Sequence, residues 1–470
     1  MLIYCNESDG SIRVSSRALF EIGNFLPTNS AFWLSTAGVV FTRMLEEASY
    51  SIDLKRSYIC LFIFCVIPEL YSDSTPLFCD SPTGYALVTT REATGTIAGR
   101  VSSHIVQDVS AGKSDSAPGV RHPTYPSYMT DDHSPIEFSC IYSADRLPTV
   151  RFSIDPLKRQ QESEPALHLI EHFATLLSLS LETDLAWCRV CAETLVISEN
   201  SASMPTSLSH PSQYFIGFDL SRKGTGLKAY FLTETCSAVY GVSKTDVVSS
   251  LVDRLSAIPG MEAPNIYIAW CEIKAFFQLL PQHLQPSLEI VAVDCVPSHA
   301  NRLKIYFCIP LATLSTIRRV MTLDSTLQLP DVEKTLEWVT LFWRLLFPNI
   351  TDDEEPSVEL ARLRHPTSGL LFYFDLRPDH TKPSPKVYIP VRHLCRNDGD
   401  IIHAVTCLYD MLGFEKARDS YGHFVRNTFV HKRMETKTGV HTYVSFAAKQ
   451  GDAEITAYFN PECFSSEGPV

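Results

Sequence analysis

The chain has 470 residues, of which 45% are hydrophobic and 11% aromatic, enough for one large core or two smaller ones. Its formal net charge of −13 argues against a general nucleic-acid-binding protein, which needs a basic surface. The fourteen cysteines are scattered, and the most apolar run, residues 58–67, has about half the length needed to cross a bilayer. We therefore expect a cytoplasmic protein with reduced thiols and with no nucleic-acid or membrane partner.

The N-terminal third of the chain divides into a helical part and a polar part. Apolar periodicity predicts helices over residues 31–70, with Trp33 opening the first and residues 54–70 forming the second. Residues 73–122 are rich in Ser, Thr, Gly and Ala and show no sustained period. They lack the apolar content to offset the entropy cost of ordering, so we expect a disordered insertion there.

From residue 123 onward, the pattern changes to pairs of short strands separated by helices. The predicted hairpins are 135–142 with 149–154, 214–220 with 226–232, 288–296 with 302–309, 369–376 with 386–389, and 441–447 with 453–459. Helical periods lie over residues 166–181, 244–257, 272–280, 311–321, 332–346 and 398–412.

The second strands of these hairpins carry related faces. Two residues apart on each strand are Arg151 and Ser153, Lys228 and Tyr230, Lys304 and Tyr306, Lys386 and Tyr388, and Thr456 and Tyr458. Successive pairs are separated by 72 to 82 residues, which indicates an irregular repeat of one supersecondary unit. The first strands of the middle three hairpins also share an aspartate, at positions 219, 294 and 375.

Ten antiparallel strands with helices between the hairpins can close into a barrel, because closure removes exposed strand edges. We therefore predict an α+β fold of five helix–hairpin repeats, a ten-stranded barrel ringed by helices. The barrel would occupy residues 123–470, with residues 1–72 as its N-terminal helical part. If the repeated faces point inward, five cations converge in a cavity without carboxylate partners: Arg151, Lys228, Arg302, Lys304 and Lys386. The alternative is a solvated outer face that keeps the protein soluble.

Such a cavity suits one kind of chemistry. A ring of cations binds a polyanion such as a diphosphate, and tyrosine rings stabilise an organic cation. Together they are typical of allylic transfer, in which the diphosphate leaves and a nucleophile captures the carbocation in a water-excluding site. A barrel that binds a diphosphate or an anionic lipid without catalysis is the alternative. The pair Asp131-Asp132 is an incomplete magnesium motif, so we expect no metal site.

Six runs carry a resemblance that covers most of the chain. They are YMTDDHSPIEFS (128–139), VRFS (150–153), LKAY (227–230), RLKIY (302–306), KVYIPVRH (386–393) and HTYVSF (441–446). In these runs the chain resembles the fungal aromatic (indole) prenyltransferases of the dimethylallyltryptophan synthase family, whose fold is the ABBA, or prenyltransferase, barrel. The resemblance implies transfer of a dimethylallyl group from dimethylallyl diphosphate to an indole, in indole alkaloid biosynthesis. The implied reaction is a metal-independent electrophilic aromatic substitution without a cofactor; a monomer and a homodimer are both left open.

The resemblance also implies roles for individual residues. The diphosphate would be held by Arg151, Lys228, Arg302, Lys304 and Lys386, which replace magnesium. A shield around the allyl cation would be formed by Tyr230, Tyr306, Tyr388, Tyr443 and Tyr458. Glu137 would accept the indole N–H and so raise the nucleophilicity of the ring. Tyr128 and Met129 would line the aromatic-substrate side together with Glu137.

Two departures from the family pattern concern the acceptor. Members that take free tryptophan carry an arginine thirteen residues before the counterpart of Arg302, and here that position is Glu289. Free tryptophan would lose its carboxylate partner, which favours a tryptophan-containing cyclic dipeptide; free L-tryptophan or a phenolic acceptor such as tyrosine stays as an alternative. Some members also place a lysine base on the first strand of the second hairpin, and residues 214–217 offer none. The final base and the position of prenylation are therefore left open.

Overall fold

A computed structural model describes residues 30–71, 78–79, 122–144, 146–157, 165–177, 183–197, 208, 210, 212–258, 263–356, 367–430, 432–449 and 451–464. The predicted insertion, residues 73–122, lies outside the described residues except for one short ladder. In that ladder Phe78–Cys79 pairs antiparallel with His122–Pro123. The domain boundaries at residues 72 and 122 stay predictions.

Ten antiparallel strands form a closed barrel, which confirms the predicted fold. Each strand pairs with the next one along the chain, and the last strand pairs with the first. The strands are β1 (Ile136–Tyr142), β2 (Thr149–Ile154), β3 (Tyr214–Ser221), β4 (Gly224–Leu232), β5 (Ser287–Asp294), β6 (Leu303–Ile309), β7 (Leu370–Arg377), β8 (His380–Ile389), β9 (His441–Lys449) and β10 (Asp452–Phe459).

Alternation along the strands separates an apolar outer face from a more polar inner face. On β1, the outward Phe138 is fully buried under the helices, whereas Glu137 and Ser139 line the interior cavity. On the outer face, Phe152 of β2 stacks on Phe218 of β3 with ring centroids 4.7 Å apart. The main hydrophobic core therefore lies between the barrel and its helices, and the barrel interior is left for a site.

The helices ring the barrel in chain order. They are α1 (Ser30–Ser35), α2 (Ala37–Glu47), α3 (Ile52–Leu61), α4 (Ile67–Leu70), α5 (Ala166–Leu177), α6 (Ala186–Leu195), α7 (Glu234–Tyr240), α8 (Lys244–Ser256), α9 (Pro264–Leu279), α10 (Leu314–Met321), α11 (Pro330–Leu346), α12 (Val391–Leu394), α13 (Asp398–Met411) and α14 (Glu415–Thr428). A π-helical turn, Phe62–Val66, joins α3 to α4. Among the described helices, none is long and apolar enough to span a membrane.

Several predicted element boundaries were wrong. Helix α9 begins at Pro264 and not at residue 272, because proline lacks only an N–H group that the first turn leaves unpaired. Strand β8 begins at His380 and not at residue 386, with an irregular register before Ser384 where Pro383 cannot donate to the ladder. Helices α6, α7, α12 and α14 lie outside the predicted helical ranges.

Candidate active site

The barrel interior brings together every residue that the sequence assigned to a site. One cavity is lined by Tyr128, Met129, Glu137, Arg151, Lys228, Tyr230, Arg302, Lys304, Tyr306, Lys386, Tyr388, Tyr443 and Tyr458. The repeated strand faces thus point inward, and the alternative of a solvated outer face is wrong. Three of the cations are nearly inaccessible, with Lys228 at 8%, Lys304 at 4% and Lys386 at 2% exposure.

The prediction that these cations lack carboxylate partners was wrong. Asp219 of β3 lies directly across from Arg151 of β2, and its Oδ1 is 3.1 Å from the Arg151 Nε. The other oxygen of Asp219 accepts a hydrogen bond from Lys228 of β4. A carboxylate between two cations offsets part of the cost of enclosing them in the barrel.

Asp294, at the end of β5, pairs with two cations of the next hairpin strand. It accepts hydrogen bonds from the Nε of Arg302 at 2.6 Å and from the Nζ of Lys304 at 2.7 Å. Arg302 also reaches β7, where its Nη1 donates to Asp375 at 2.9 Å. The buried Asn301 fixes the backbone here, since its side chain exchanges hydrogen bonds with the Asp294 N–H and carbonyl. Arg302 and Lys304 are therefore held in place by protein groups alone.

Lys386 is the cation with the loosest partners. Its Nζ is 3.8 Å from the Glu454 carboxylate and 3.5 Å from the Thr456 hydroxyl, both on β10. It also lies over the ring of Tyr388, 5.4 Å from the centroid. We define Arg151, Lys228, Arg302, Lys304 and Lys386 as the cation cluster.

Enclosure in the barrel shifts the pKa values of this cluster. Burial and the nearby Arg302 lower the pKa of Lys304 to about 7, although Asp294 acts in the opposite direction. Burial also lowers the pKa of Lys386 to about 7 against the effect of Glu454. For Asp294, burial acts to raise the pKa, but Lys304 and Arg302 outweigh it and hold that pKa well below its usual value. The two lysines are thus poised between charged and neutral forms near neutral pH.

Tyrosine rings form a second layer inside the barrel. The tyrosine cluster consists of Tyr230, Tyr306, Tyr373, Tyr388, Tyr443 and Tyr458. Tyr306 meets Tyr373 edge to face with centroids 5.1 Å apart, and Tyr388 lies 5.5 Å from Tyr458. Tyr373 was not predicted, although its position two residues before Asp375 places it on the inward face of β7. The rings form a wall beside the cation cluster, and their π faces can stabilise a cationic ligand.

Among the described residues, Glu137 of β1 is a cavity carboxylate that forms no ion pair. Its Oε1 accepts a hydrogen bond of 2.7 Å from the hydroxyl of Thr442. Burial raises the pKa of Glu137 to about 8, the neighbouring Asp131 raises it as well, and the Thr442 hydrogen bond lowers it. Such a carboxyl group can take up a proton near neutral pH.

A loop before β1 supplies the remaining predicted residues. The Ser127 hydroxyl donates to Asp155 at 2.7 Å and accepts from the Met129 N–H at 3.1 Å, which fixes the loop. The ring of Tyr128 stacks on His210 with centroids 4.0 Å apart. The loop therefore places Tyr128 and Met129 at the cavity wall.

The acidic pair in the same loop serves the fold. Asp131 forms an ion pair with Arg392 and lies 3.1 Å from the Nε2 of His393, and Asp132 accepts a hydrogen bond from Asn460 at 3.0 Å. Across the described ranges, no group of three or more His, Cys, Asp or Glu side chains is arranged to hold a metal ion.

First strands of the hairpins complete the cavity lining with residues that the sequence did not single out for this purpose. They include Phe215, Gly217, Asp219, Ile290 and Leu371. Glu289, which the sequence did single out, and Cys308 of the second strand β6 also line the cavity. Phe215 faces the cavity on the strand where a lysine base was looked for. Counting strand parity from the partner residues would have identified most of them.

Comparison with known proteins identifies the group to which this barrel belongs. The family profile described as tryptophan dimethylallyltransferase matches residues 103–424. The 4-O-dimethylallyl-L-tyrosine synthase of Claviceps purpurea is 32% identical over 364 residues, which cover 74% of this chain and 80% of that protein. The chain belongs to this family.

Two further comparisons agree with the assignment of the chain to this prenyltransferase family. The 7-dimethylallyltryptophan synthase of Aspergillus fumigatus is 25% identical over 464 residues, covering 93% of this chain and 86% of the relative. The crystal structure of AnaPT from Neosartorya fischeri superimposes with a TM-score of 0.70 at 20% identity, over 96% of this chain and 99% of that one. The latter similarity shows the ABBA fold. The chain is an aromatic prenyltransferase, as the resemblance implied.

Proposed function

We propose that this prenyltransferase moves the dimethylallyl group of dimethylallyl diphosphate to the phenolic oxygen of free L-tyrosine, without a metal ion. The observation that carries the proposal is the hydrogen-bond partner of Glu137. Of the carboxylates that line the cavity in the described chain, Glu137, Asp219, Glu289 and Glu454, it is the one bonded to a hydroxyl and not to a cation. In its ionised form, which gains in population as pH approaches its pKa of about 8, Glu137 can take a proton from an acceptor.

The cation cluster supports the donor half of the reaction. The C–O bond of dimethylallyl diphosphate breaks, and its electron pair leaves with the diphosphate. Lysine and arginine side chains would neutralise the charge on the leaving group, Lys304 and Lys386 from within the enclosed barrel. The carbocation left behind would meet the tyrosine cluster, whose π faces stabilise it and whose packing excludes water.

The acceptor half follows from the position and pKa of Glu137. A phenol that donates its O–H to Glu137 loses that proton as its oxygen forms the bond to the allyl cation, so one carboxylate both orients and deprotonates the nucleophile. Transfer to an indole carbon needs a further base that removes the ring proton. On β3, where such a base was looked for, the side chain that faces the cavity is the apolar Phe215. The arrangement therefore favours transfer to oxygen, which is also what the name of the Claviceps relative describes.

An indole acceptor is the second candidate, because Glu137 could equally accept an indole N–H. The sequence favoured a tryptophan-containing cyclic dipeptide on the ground that Glu289 cannot bind a carboxylate. In the structure, the ammonium of Lys244 lies 3.0 Å from the carboxylate of Glu289, so a cation stands directly beside this cavity residue. That ground for excluding free amino acids is removed.

The test is a product assay with an acceptor panel. Purified protein is incubated with dimethylallyl diphosphate and EDTA plus L-tyrosine, L-tryptophan or a tryptophan-containing cyclic dipeptide, and products are located by mass spectrometry and NMR. We expect a tyrosine product carrying one prenyl group on oxygen. If a product forms only with an indole acceptor, the acceptor is an indole and not tyrosine. Loss of all product in EDTA would contradict the metal-free reaction. Binding of the non-hydrolysable thiolodiphosphate without any product would indicate a non-catalytic barrel.

A further inference from the structure

A bulge in strand β5 turns an extra side chain toward the cavity. Leu288 pairs with Phe307 and Ile290 with Tyr306, so the register shifts at Glu289, the residue between them. A β-bulge re-aims the side chains around it, which explains why Glu289 and its neighbour Ile290 both line the cavity. The backbone at the bulge is fixed, since the N–H and hydroxyl of Thr233 donate to the Glu289 and Leu288 carbonyls at 3.1 and 2.8 Å.

Glu289 meets a cation that comes from outside the barrel. The Nζ of Lys244, the first residue of helix α8, lies 3.0 Å from the Glu289 Oε2 and 3.5 Å from the Ser287 hydroxyl. Their side chains keep exposures of 25% for Lys244 and 19% for Glu289. A ligand that brings both opposite charges can replace each partner of this partly buried pair without leaving either charge unpaired, which avoids the main cost of breaking such a pair.

The pair adjoins the wall that the aromatic acceptor would contact. The Glu289 carboxylate acts on the pKa of Tyr128, which burial raises first and this charge raises further. Tyr128 stacks on His210, and His210 in turn lies 3.2 Å from Glu234. The Lys244–Glu289 pair therefore stands next to the loop that carries Tyr128 and on a different strand from Glu137.

We propose that Lys244 and Glu289 bind the α-carboxylate and the α-ammonium, respectively, of a free amino-acid acceptor. This inference rests on the proposed function and adds the part of the substrate that the cavity recognises. A zwitterion placed against the pair satisfies all four charges and gains two charge-assisted hydrogen bonds. A cyclic dipeptide carries neither charge, so the pair selects against it. The site holds a negative and a positive charge where a lone arginine would bind the carboxylate only.

Acceptors that lack one charge test each half of the pair. The wild-type enzyme is assayed with two analogues of tyrosine. Tyramine lacks the carboxylate, and 3-(4-hydroxyphenyl)propionate lacks the ammonium. We expect each to lose about 10- to 100-fold in kcat/KM relative to tyrosine, mostly through KM, because one charge-assisted hydrogen bond is lost. Tryptophan, tryptamine and indole-3-propionate form the parallel series if the acceptor is an indole.

Variants then assign each charge to its residue. In Lys244→Met, tyrosine should fall to the level of tyramine, while tyramine itself stays nearly unchanged. In Glu289→Gln, tyrosine should fall to the level of 3-(4-hydroxyphenyl)propionate. The matched control is Lys382→Met, which breaks a 2.7 Å ion pair with Glu272 on the outer surface and should leave all acceptors unaffected.

The outcomes separate this inference from the proposed function. If tyrosine is prenylated but the variants lower all three acceptors equally, the ion pair is structural and the inference fails alone. If only a neutral cyclic dipeptide is prenylated, both fail. If no acceptor reacts, calorimetric titration of L-tyrosine into the protein saturated with the thiolodiphosphate decides: binding that Lys244→Met and Glu289→Gln both weaken supports the site, and absence of binding overturns it.

Discussion

The Lys304 ammonium lies 2.7 Å from a carboxylate oxygen of Asp294 on the neighbouring strand. Asp294 also receives Arg302, so the cation cluster is held by buried carboxylates before any anion arrives. This arrangement fixes the positions of the cations and keeps the pKa of Lys304 from falling further. A diphosphate would then displace interactions that already exist, and its binding should depend on both the partner carboxylates and pH.

Asp294→Asn should weaken diphosphate binding in a pH-dependent way. Without the carboxylate, the pKa of Lys304 falls below about 7, so at pH 8 more of the enzyme has a neutral Lys304. We expect about tenfold weaker binding of dimethylallyl thiolodiphosphate at pH 8, one pKa unit being a factor of ten. At pH 6 most of the lysine is charged in wild type and about half in the variant, so the affinities should differ by only about twofold.

The folded pKa of Asp294 is depressed, so its contribution to stability is present above its unfolded pKa and is lost at acid pH. The variant should therefore unfold at a lower temperature than wild type at neutral pH. The matched control is Asp253→Asn on the exposed face of α8, which should change neither affinity nor melting temperature. An affinity loss that is the same at pH 6 and pH 8 would show that Asp294 does not act through the charge of Lys304.

Diphosphate binding should be accompanied by proton uptake. With pKa values of about 7, Lys304 and Lys386 are mostly neutral at pH 8, and a bound polyanion favours their charged forms. We expect uptake of up to about two protons at pH 8, declining toward zero at pH 6. Calorimetry in buffers of different ionisation enthalpy measures this number. Lys304→Arg or Lys386→Arg should each reduce it, because arginine stays charged; equal uptake in wild type and both variants would exclude these lysines as the source.

Sequence periodicity was sufficient to predict the barrel, because five hairpins with polar inner faces and apolar outer faces repeat along the chain. It failed where charged residues or a proline obscure the hydrophobic period of an element. Helix α14 is charged along its exposed side, and its buried Ala417, Tyr421, Phe424 and Val425 show helical spacing only once that side is ignored. In β8, Pro383 obscured a strand whose first half pairs irregularly.

The sequence indicated the cation cluster and most of the tyrosine cluster, but it missed their partners. Asp219 and Asp375 were visible as a repeated aspartate, yet their inward direction depends on pairing across strands, with Arg151 and with Lys304. Glu289 was noticed, whereas its partner Lys244 lies on another element and its inward direction depends on a bulge. Contacts between elements and shifts of register are not encoded in a single run of residues.

Glu137→Gln should slow prenylation strongly while leaving diphosphate binding nearly intact. The amide keeps the shape of the side chain but cannot accept a proton from the nucleophile, so we expect kcat to fall by about 10²- to 10⁴-fold. Affinity for the thiolodiphosphate, measured by calorimetry, should change little because Glu137 is not paired with the cation cluster. An equal loss of kcat and of diphosphate affinity would show that Glu137 is structural.

The pH profile of kcat gives an independent measure of the same group. The pKa of Glu137 is raised to about 8, and its ionised form is the base, so kcat should rise with pH up to about 8 and then level off. Thr442→Val removes a hydrogen bond that lowers this pKa, so the rising limb should move to higher pH. A profile that Thr442→Val leaves unchanged would assign the limb to another group.

Gly217→Ala should increase the hydrolysis of the allyl donor at the expense of prenyl transfer. A Cβ at this position of β3 would lie 2.8 Å from the Tyr230 ring and 3.3 Å from the Ser153 hydroxyl, so Tyr230 must move out of the tyrosine cluster. Displacing a ring by about 1 Å opens the cavity to water and disturbs the alignment of the reactants, so we expect transfer to fall about tenfold or more. The ratio of dimethylallyl alcohol to prenylated product, measured by chromatography, should rise at the same time. Gly226→Ala is the matched control on β4, because its Cβ would meet Asp219 at an ordinary 3.5 Å. If Gly217→Ala lowers transfer without raising the share of alcohol, Tyr230 positions the substrates and does not protect the cation from water.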